Sequence, residues 1–380
     1  MKIGILTLPL QSNYGGILQA YALQTVLERL GHEVVVINKS RYRHLNPVKK
    51  PFIYVYRMIM KYLFSSPITI RREKGFNKVL DNLSRKQLYT KNFICKNIHH
   101  LDIDSFSELK EKDFDAIVVG SDQIWRSVYA YSMMQSLRDA YLYFAKDWST
   151  IKRVAYAASF GTEDWEYTKK DTSVCGKLIK KFDAVSVREL SGLSLCKEFL
   201  KYNNAVFMID PTLLLDRFDY IHLADKKRQA HVNGGLFSYI LDKRKETLHF
   251  EEVVIRQTKL NCFCQHISED FERDEAFAPV MPVEAWIRAF EDCEMVITDS
   301  FHACAFAIIF NKPFWVIGNK ERGLSRLHSL LNLFHLENRM ISDNENLERH
   351  NWNESIDWEP INEQRKILKS QSIQFLKKNL

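Results

Sequence analysis

The chain has 380 residues, more than one hydrophobic core ordinarily serves, so two domains are expected. With 46% hydrophobic residues, 12% aromatics, 13 Gly and 9 Pro, the composition excludes a disordered, collagen-like or linker-rich chain. A net charge of +7 suits anionic small molecules or an anionic membrane surface, whereas nothing in the spacing reads as a zinc finger or an RNA-binding aromatic signature, so nucleic acid is not expected as a partner.

Taken in chain order, Lys2–Leu8 reads as a buried strand, followed by a polar turn through Asn13-Tyr14-Gly15-Gly16. Ile17–Leu30 reads as a helix, because Leu23, Val26, Leu27 and Leu30 share a face and Gly31 supplies a stop. Glu33–Ile37 is the next strand, and this βαβ opening implies a right-handed crossover and a parallel sheet. Tyr54–Phe64 is an apolar and basic helical stretch, expected as a surface helix or lid of the first lobe, with peripheral membrane contact as the alternative. Further strands are expected at Ala116–Val119, Val154–Ala158, Ala184–Val187 and Val206–Ile209, with Asp210-Pro211-Thr212 as a hinge between domains. A second alternation of strands and helices runs from Gly235 to Ile317, and Ile361–Lys378 closes the chain as a helix. The expected division is an N-terminal Rossmann-like domain over residues 1–210, a C-terminal one over 211–345, and a tail and helix over 346–380 that packs back on the first domain.

Seven cysteines form no disulfide-like framework, no secretory signal opens the chain, and no apolar run reaches the ~18 residues of a spanning helix. The expected location is therefore the reducing cytoplasm, including the inner face of the membrane.

In open parallel sheets ligands bind at the carboxyl ends of strands, so chemically able residues there are the candidates. Gly15 and Gly16 would let backbone approach a ligand at a helix N-terminus, although a tight turn explains the pair equally well. Ser121, Asp122, Gln123, Trp125 and Arg126 place a hydroxyl, a carboxylate, an amide, an indole and a guanidinium after one strand, a mixture that suits a sugar ring; an N-cap before a surface helix is the alternative. Asp299 and Ser300 can cap a helix whose first turn carries His302, a residue type able to bond a ligand oxygen and move protons. Lys320, Arg322 and Arg326 follow a later strand and could hold a phosphate or carboxylate, or form a solvated loop. Cys262-x-Cys264 with His266 has no second ligand pair nearby, so a structural role is expected and no metal.

In this order the motifs resemble the polysaccharide pyruvyl transferase family. The resemblance rests on Asn13-Tyr14-Gly15-Gly16-Ile17-Leu18-Gln19-Ala20-Tyr21-Ala22-Leu23-Gln24, Gly120-Ser121-Asp122-Gln123-Ile124-Trp125, Ser186-Val187-Arg188-Glu189, Asp210-Pro211-Thr212-Leu213, Thr298-Asp299-Ser300-Phe301-His302 and Asn311-Lys312-Pro313. It implies an α/β, GT-B-like fold of two Rossmann-like domains facing a cleft, with the acceptor on the first and the donor on the second. It also implies transfer of a pyruvyl group from phosphoenolpyruvate onto a sugar diol of a glycan or lipid-linked oligosaccharide, giving a cyclic ketal, with no cofactor beyond the donor substrate. His302 would take the family's donor-binding and catalytic position, with Asp299 or Asp122 as base toward the sugar. Ala303 stands where glycine is common, and Ser300 where some members carry arginine. Arg188, Arg322 and Arg326, with Lys320, are therefore expected to bind the donor beside Ser300. Asn13, Tyr14, Gly15, Gly16, Gln19, Ser121, Gln123 and Trp125 would face the acceptor. The competing expectations are a GT-B nucleotide-sugar glycosyltransferase and a non-catalytic glycan-assembly subunit.

Overall fold

The computed structural model describes the chain apart from residues 42–49, 65–69, 72–73, 75–86, 225–233, 265–280, 319–323 and 342–345. Seven parallel strands form one sheet in the order β3-β2-β1-β4-β5-β6-β7. They are β1 (Lys2–Leu6), β2 (Glu33–Lys39), β3 (His100–Ile103), β4 (Ala116–Val119), β5 (Lys152–Ala158), β6 (Ala184–Val187) and β7 (Val206–Phe207). Five more, also parallel, form a second sheet in the order β12-β11-β10-β8-β9. These are β8 (Leu236–Tyr239), β9 (Cys262–Cys264), β10 (Met295–Thr298), β11 (Phe314–Ile317) and β12 (Met340–Ile341). The architecture is α/β, with two parallel sheets and their helices consistent with two Rossmann-like domains. Central strands read as unbroken apolar runs, Ala-Ile-Val-Val in β4 and Phe-Trp-Val-Ile in β11, because both faces are covered and every residue is buried.

Among the described residues, the helices of eight or more residues are α1 (Tyr14–Arg29), α2 (Lys50–Tyr62), α3 (Leu88–Asn97), α4 (Lys169–Leu178), α5 (Leu190–Glu198), α6 (Lys245–Thr258), α7 (Val283–Asp292), α8 (Phe301–Ile309), α9 (Ser325–Leu333) and α10 (Trp358–Asn379). α1 starts at Tyr14, earlier than the expected Ile17, because the Asn13 carbonyl already accepts the Ile17 N–H at 3.0 Å. The Gly15-Gly16 pair is thus the first helical turn. Gly31, with φ +87°, ends the helix in the left-handed region open to glycine.

One hydrophobic cluster runs through both sheets, joining Ile3, Val118 and Tyr156 to Phe237, Val296 and Phe314, with α8 buried inside it along its whole length. α1 bridges the lobes: the Tyr14 hydroxyl donates to the Met281 carbonyl at 2.6 Å, and its ring stacks on Trp286 at 5.3 Å. α10 buries Ile361, Leu368, Ser372 and Leu376, sets Phe375 6.3 Å from Tyr156 of β5, and offers the Leu380 carbonyl to Lys152 Nζ at 3.0 Å. Among the described residues no helix is long and apolar enough to cross a membrane.

Candidate active site

The carboxyl ends of β1, β4 and β6 from one sheet and of β10 from the other converge on the seam between the lobes. After β10, Ser300 caps α8, its side chain accepting the Ala303 N–H at 3.5 Å, and His302 falls in the first turn. The imidazole lies over Gly15 of α1, so closely that a Cβ on Gly15 would stand 2.0 Å from His302 Nδ1. The first turn of one lobe's helix is therefore the floor for the histidine of the other, and only a residue without a side chain permits that approach.

His302 Nε2 is 3.7 Å from Asp210 Oδ2, and the same carboxylate oxygen receives Arg188 at 2.5 Å and the Ser121 hydroxyl at 3.2 Å. Its other oxygen accepts the Thr212 N–H at 2.9 Å and the Thr212 hydroxyl at 2.7 Å. Burial alone would push the Asp210 carboxyl up, but the Arg188 guanidinium, the nearby His302 ring and the bonds from Thr212 hold it far below the usual carboxylate range. Burial likewise opposes the charge on Arg188; Asp210, Glu189 and Asp122 outweigh it and keep the guanidinium above its ordinary value. Arg188 reaches on to Asp122 Oδ1 at 3.5 Å and stacks on the Phe301 ring at 4.4 Å. Arg326 shares that ring at 5.9 Å, and burial, then the neighbouring Arg188 charge, push its guanidinium down to about 10. Glu189, buried beside them, donates nothing and accepts from the Ser159 hydroxyl and from Gly161 N–H at 3.4 Å; burial raises its carboxyl.

Of the expected site residues, the fold brings together His302, Ser300, Arg188, Arg326, Asp122, Ser121 and Gly15. Lys320 and Arg322 lie outside the described residues, as does His266. Asp299 corrects an expectation: its carboxylate accepts the Leu241 N–H at 2.7 Å and the Asp242 N–H at 3.2 Å, bracing the loop after β8, and Asp210 is the carboxylate that meets His302. Trp125 is a second correction. Its ring is fully buried, stacked on Tyr141 at 4.7 Å, with Nε1 donating to the Ala140 carbonyl at 3.0 Å, so it has no face for a sugar. Tyr14 is spent on Met281 and Trp286. Gln19 is spent joining strand ends, since it donates to Thr7 Oγ1 at 2.9 Å and accepts the Ser121 N–H at 3.0 Å. The Gln123 side-chain Oε1 accepts from Arg126 Nη1 at 3.1 Å. Asn13 is exposed and Gly16 half-buried. Asp210, Glu189 and Phe301 were not expected to act; each stood inside a recognised motif, but only the fold shows their contacts. Among the described residues no group of three His, Cys, Asp or Glu side chains could hold a metal ion.

Comparison with known proteins agrees with this geometry at the level of family. No curated protein sequence matches. Solved structures similar to the chain include a UDP-GlcNAc 2-epimerase from Methanocaldococcus jannaschii, 12% identical over 98% of this chain and 99% of its own, with a TM-score of 0.49. An alpha-glucosyltransferase in complex with UDP is 9% identical over 98% and 94%, with a TM-score of 0.43. The E. coli heptosyltransferase WaaC is 11% identical over 83% and 88%, with a TM-score of 0.36. At such identities and TM-scores none of them bears on activity or substrate here. The family model for polysaccharide pyruvyl transferase matches residues 13–321, a span that runs from the turn before α1 through the helix carrying His302. With the residues of that span gathered at one seam between the lobes, the chain belongs to the polysaccharide pyruvyl transferase family.

Proposed function

We propose that the protein transfers the pyruvyl group of phosphoenolpyruvate onto two hydroxyls of one sugar in a polysaccharide or its lipid-linked precursor. The observation that carries this reading is the pair of buried guanidiniums, Arg188 and Arg326, that share the Phe301 ring next to His302. Arg188 is matched by buried carboxylates, whereas burial and the Arg188 charge depress Arg326; a positive, water-poor seam of this kind favours a ligand with more than one negative group, and this donor brings a carboxylate and a phosphate. The N-terminus of α8 adds its dipole on the same side.

In the proposed reaction the donor's methylene carbon takes a proton and C2 becomes oxocarbenium-like. One sugar hydroxyl adds to C2, the C2–O bond to phosphate breaks, and the second hydroxyl closes the ketal. Of the two hydroxyl protons, one is balanced by the new methyl group and the other leaves with phosphate. His302, oriented between Gly15 and Asp210, would relay a proton, with Arg188 and Arg326 stabilising the departing phosphate. Asn13 and Asp122 stand on the acceptor side.

The test is release of inorganic phosphate from phosphoenolpyruvate with galactose-, mannose- and glucose-containing acceptors, for wild type and His302→Ala. Acceptor-dependent release that the substitution abolishes in a folded protein is the expected result. Binding of a nucleotide sugar with no release across the panel would overturn the donor assignment.

A further inference from the structure

Helix α2 points its apolar side outward. Phe52, Val55, Tyr56, Ile59, Tyr62 and Leu63 recur at the spacing of one helical stripe, and they are between 43% and 76% exposed. Ile53 and Met60, on one flank of the stripe, and Arg57 beyond them are half-buried, with Arg57 donating to the Ile70 carbonyl at 3.1 Å. No residue of α2 is buried. A surface helix of a globular protein ordinarily turns its apolar stripe inward.

Charge decides what fits that face. From residue 41 to residue 72 the sequence has eight Lys and Arg and no Asp or Glu. Lys50 and Lys61, exposed at the two ends of α2, lie on the face opposite the stripe, so the helix has one apolar and one basic face. A second copy of the chain would bring the same basic segment against itself, which is repulsive. An anionic lipid surface complements the charge and takes up the apolar side chains together. The segment also follows the carboxyl end of β2, the edge of the sheet on which the candidate active site lies.

We propose that α2 is an interfacial helix that docks the protein on an anionic bilayer, with the Phe52–Leu63 stripe in the headgroup boundary and Lys50 and Lys61 on the water-facing side, drawn toward the anionic surface. The proposal is independent of the donor and of the reaction. The experiment is co-sedimentation of the full chain with vesicles of phosphatidylcholine alone and of phosphatidylcholine mixed with phosphatidylglycerol, at low and raised salt. Wild type should sediment with the mixed vesicles, release in salt, and stay in solution with the neutral ones. The triple variant Phe52→Ser, Ile59→Ser, Leu63→Ser should lower partitioning by about tenfold or more. Lys50→Gln and Lys61→Gln should each lower it by about fivefold. These side chains are exposed, so melting temperature should hold in every variant. The proposal is overturned if wild type ignores the anionic vesicles, or if the triple variant sediments as well as wild type. It is equally overturned if the stripe proves to hold a dimer, seen as a wild-type dimer and a monomeric triple variant, neither of which binds vesicles.

Discussion

At Gly15 a methyl group would meet the His302 ring at 2.0 Å, whereas at Gly16 it would meet only the exposed Asn13 amide at 3.2 Å. Gly15→Ala should therefore displace the imidazole and reduce acceptor-dependent phosphate release by about 100-fold. Gly16→Ala should stay close to wild type, since the Asn13 side chain can give way; the two neighbouring variants compared in one assay separate a positional effect from a general loss of flexibility. Asp210 has a different signature. Its carboxyl titrates far lower folded than unfolded, so its stabilisation is complete above the unfolded value of about 3.9 and is lost as pH falls through that region toward the folded value. Asp210→Asn should remove this slope from urea-unfolding free energies measured across acid pH. At neutral pH it should cost about 3–5 kcal/mol, because Arg188 stays buried without its nearest carboxylate. These residue-scale contacts were only partly legible in the sequence. His302 and Arg188 stood out by type and position; Asp210 read as a hinge residue, since its partners lie 22 and 92 positions away in the chain.

Among the elements, strands with two covered faces were the easiest to recognise, because burial on both sides demands consecutive apolar residues. The edge strand β3, His-Leu-Asp-Ile, and the two-residue β12 carry no such run, and neither was expected. Helices α3, α4, α5 and α9 were also not expected; each is nine or ten residues long and mixes polar residues through its length. α10 was expected from its apolar spacing, and its packing gives a graded prediction. Leu376→Ala empties a fully buried position and should lower unfolding free energy by about 2–5 kcal/mol. Ile367→Ala, on the exposed side, should stay within about 0.5 kcal/mol, and chemical denaturation of the two variants side by side checks both.

Across the whole molecule, the lobes are tied by a shared hydrophobic cluster, by Tyr14 bonded to Met281, and by Arg29 paired with Asp219 at 2.6 Å. Separating the lobes would expose that cluster to water. Thermal unfolding should therefore be a single transition, with calorimetry, tryptophan fluorescence and far-ultraviolet circular dichroism reporting coincident midpoints. Two resolved transitions would show that the shared cluster contributes too little to couple the lobes.

The order of apolar runs and turns was enough to establish parallel α/β lobes, and motif order was enough to indicate the family, because both are local properties of the chain. Which polar groups face a ligand was decided only by tertiary structure. Trp125, read as a sugar platform, is enclosed by its own lobe; Asp299, read as a base, braces a loop; Asp210, read as a hinge, orders both His302 and Arg188. The physical reason is that a side chain's availability depends on which distant groups satisfy its hydrogen bonds and exclude water from it, and those groups arrive only when the two sheets close around α8.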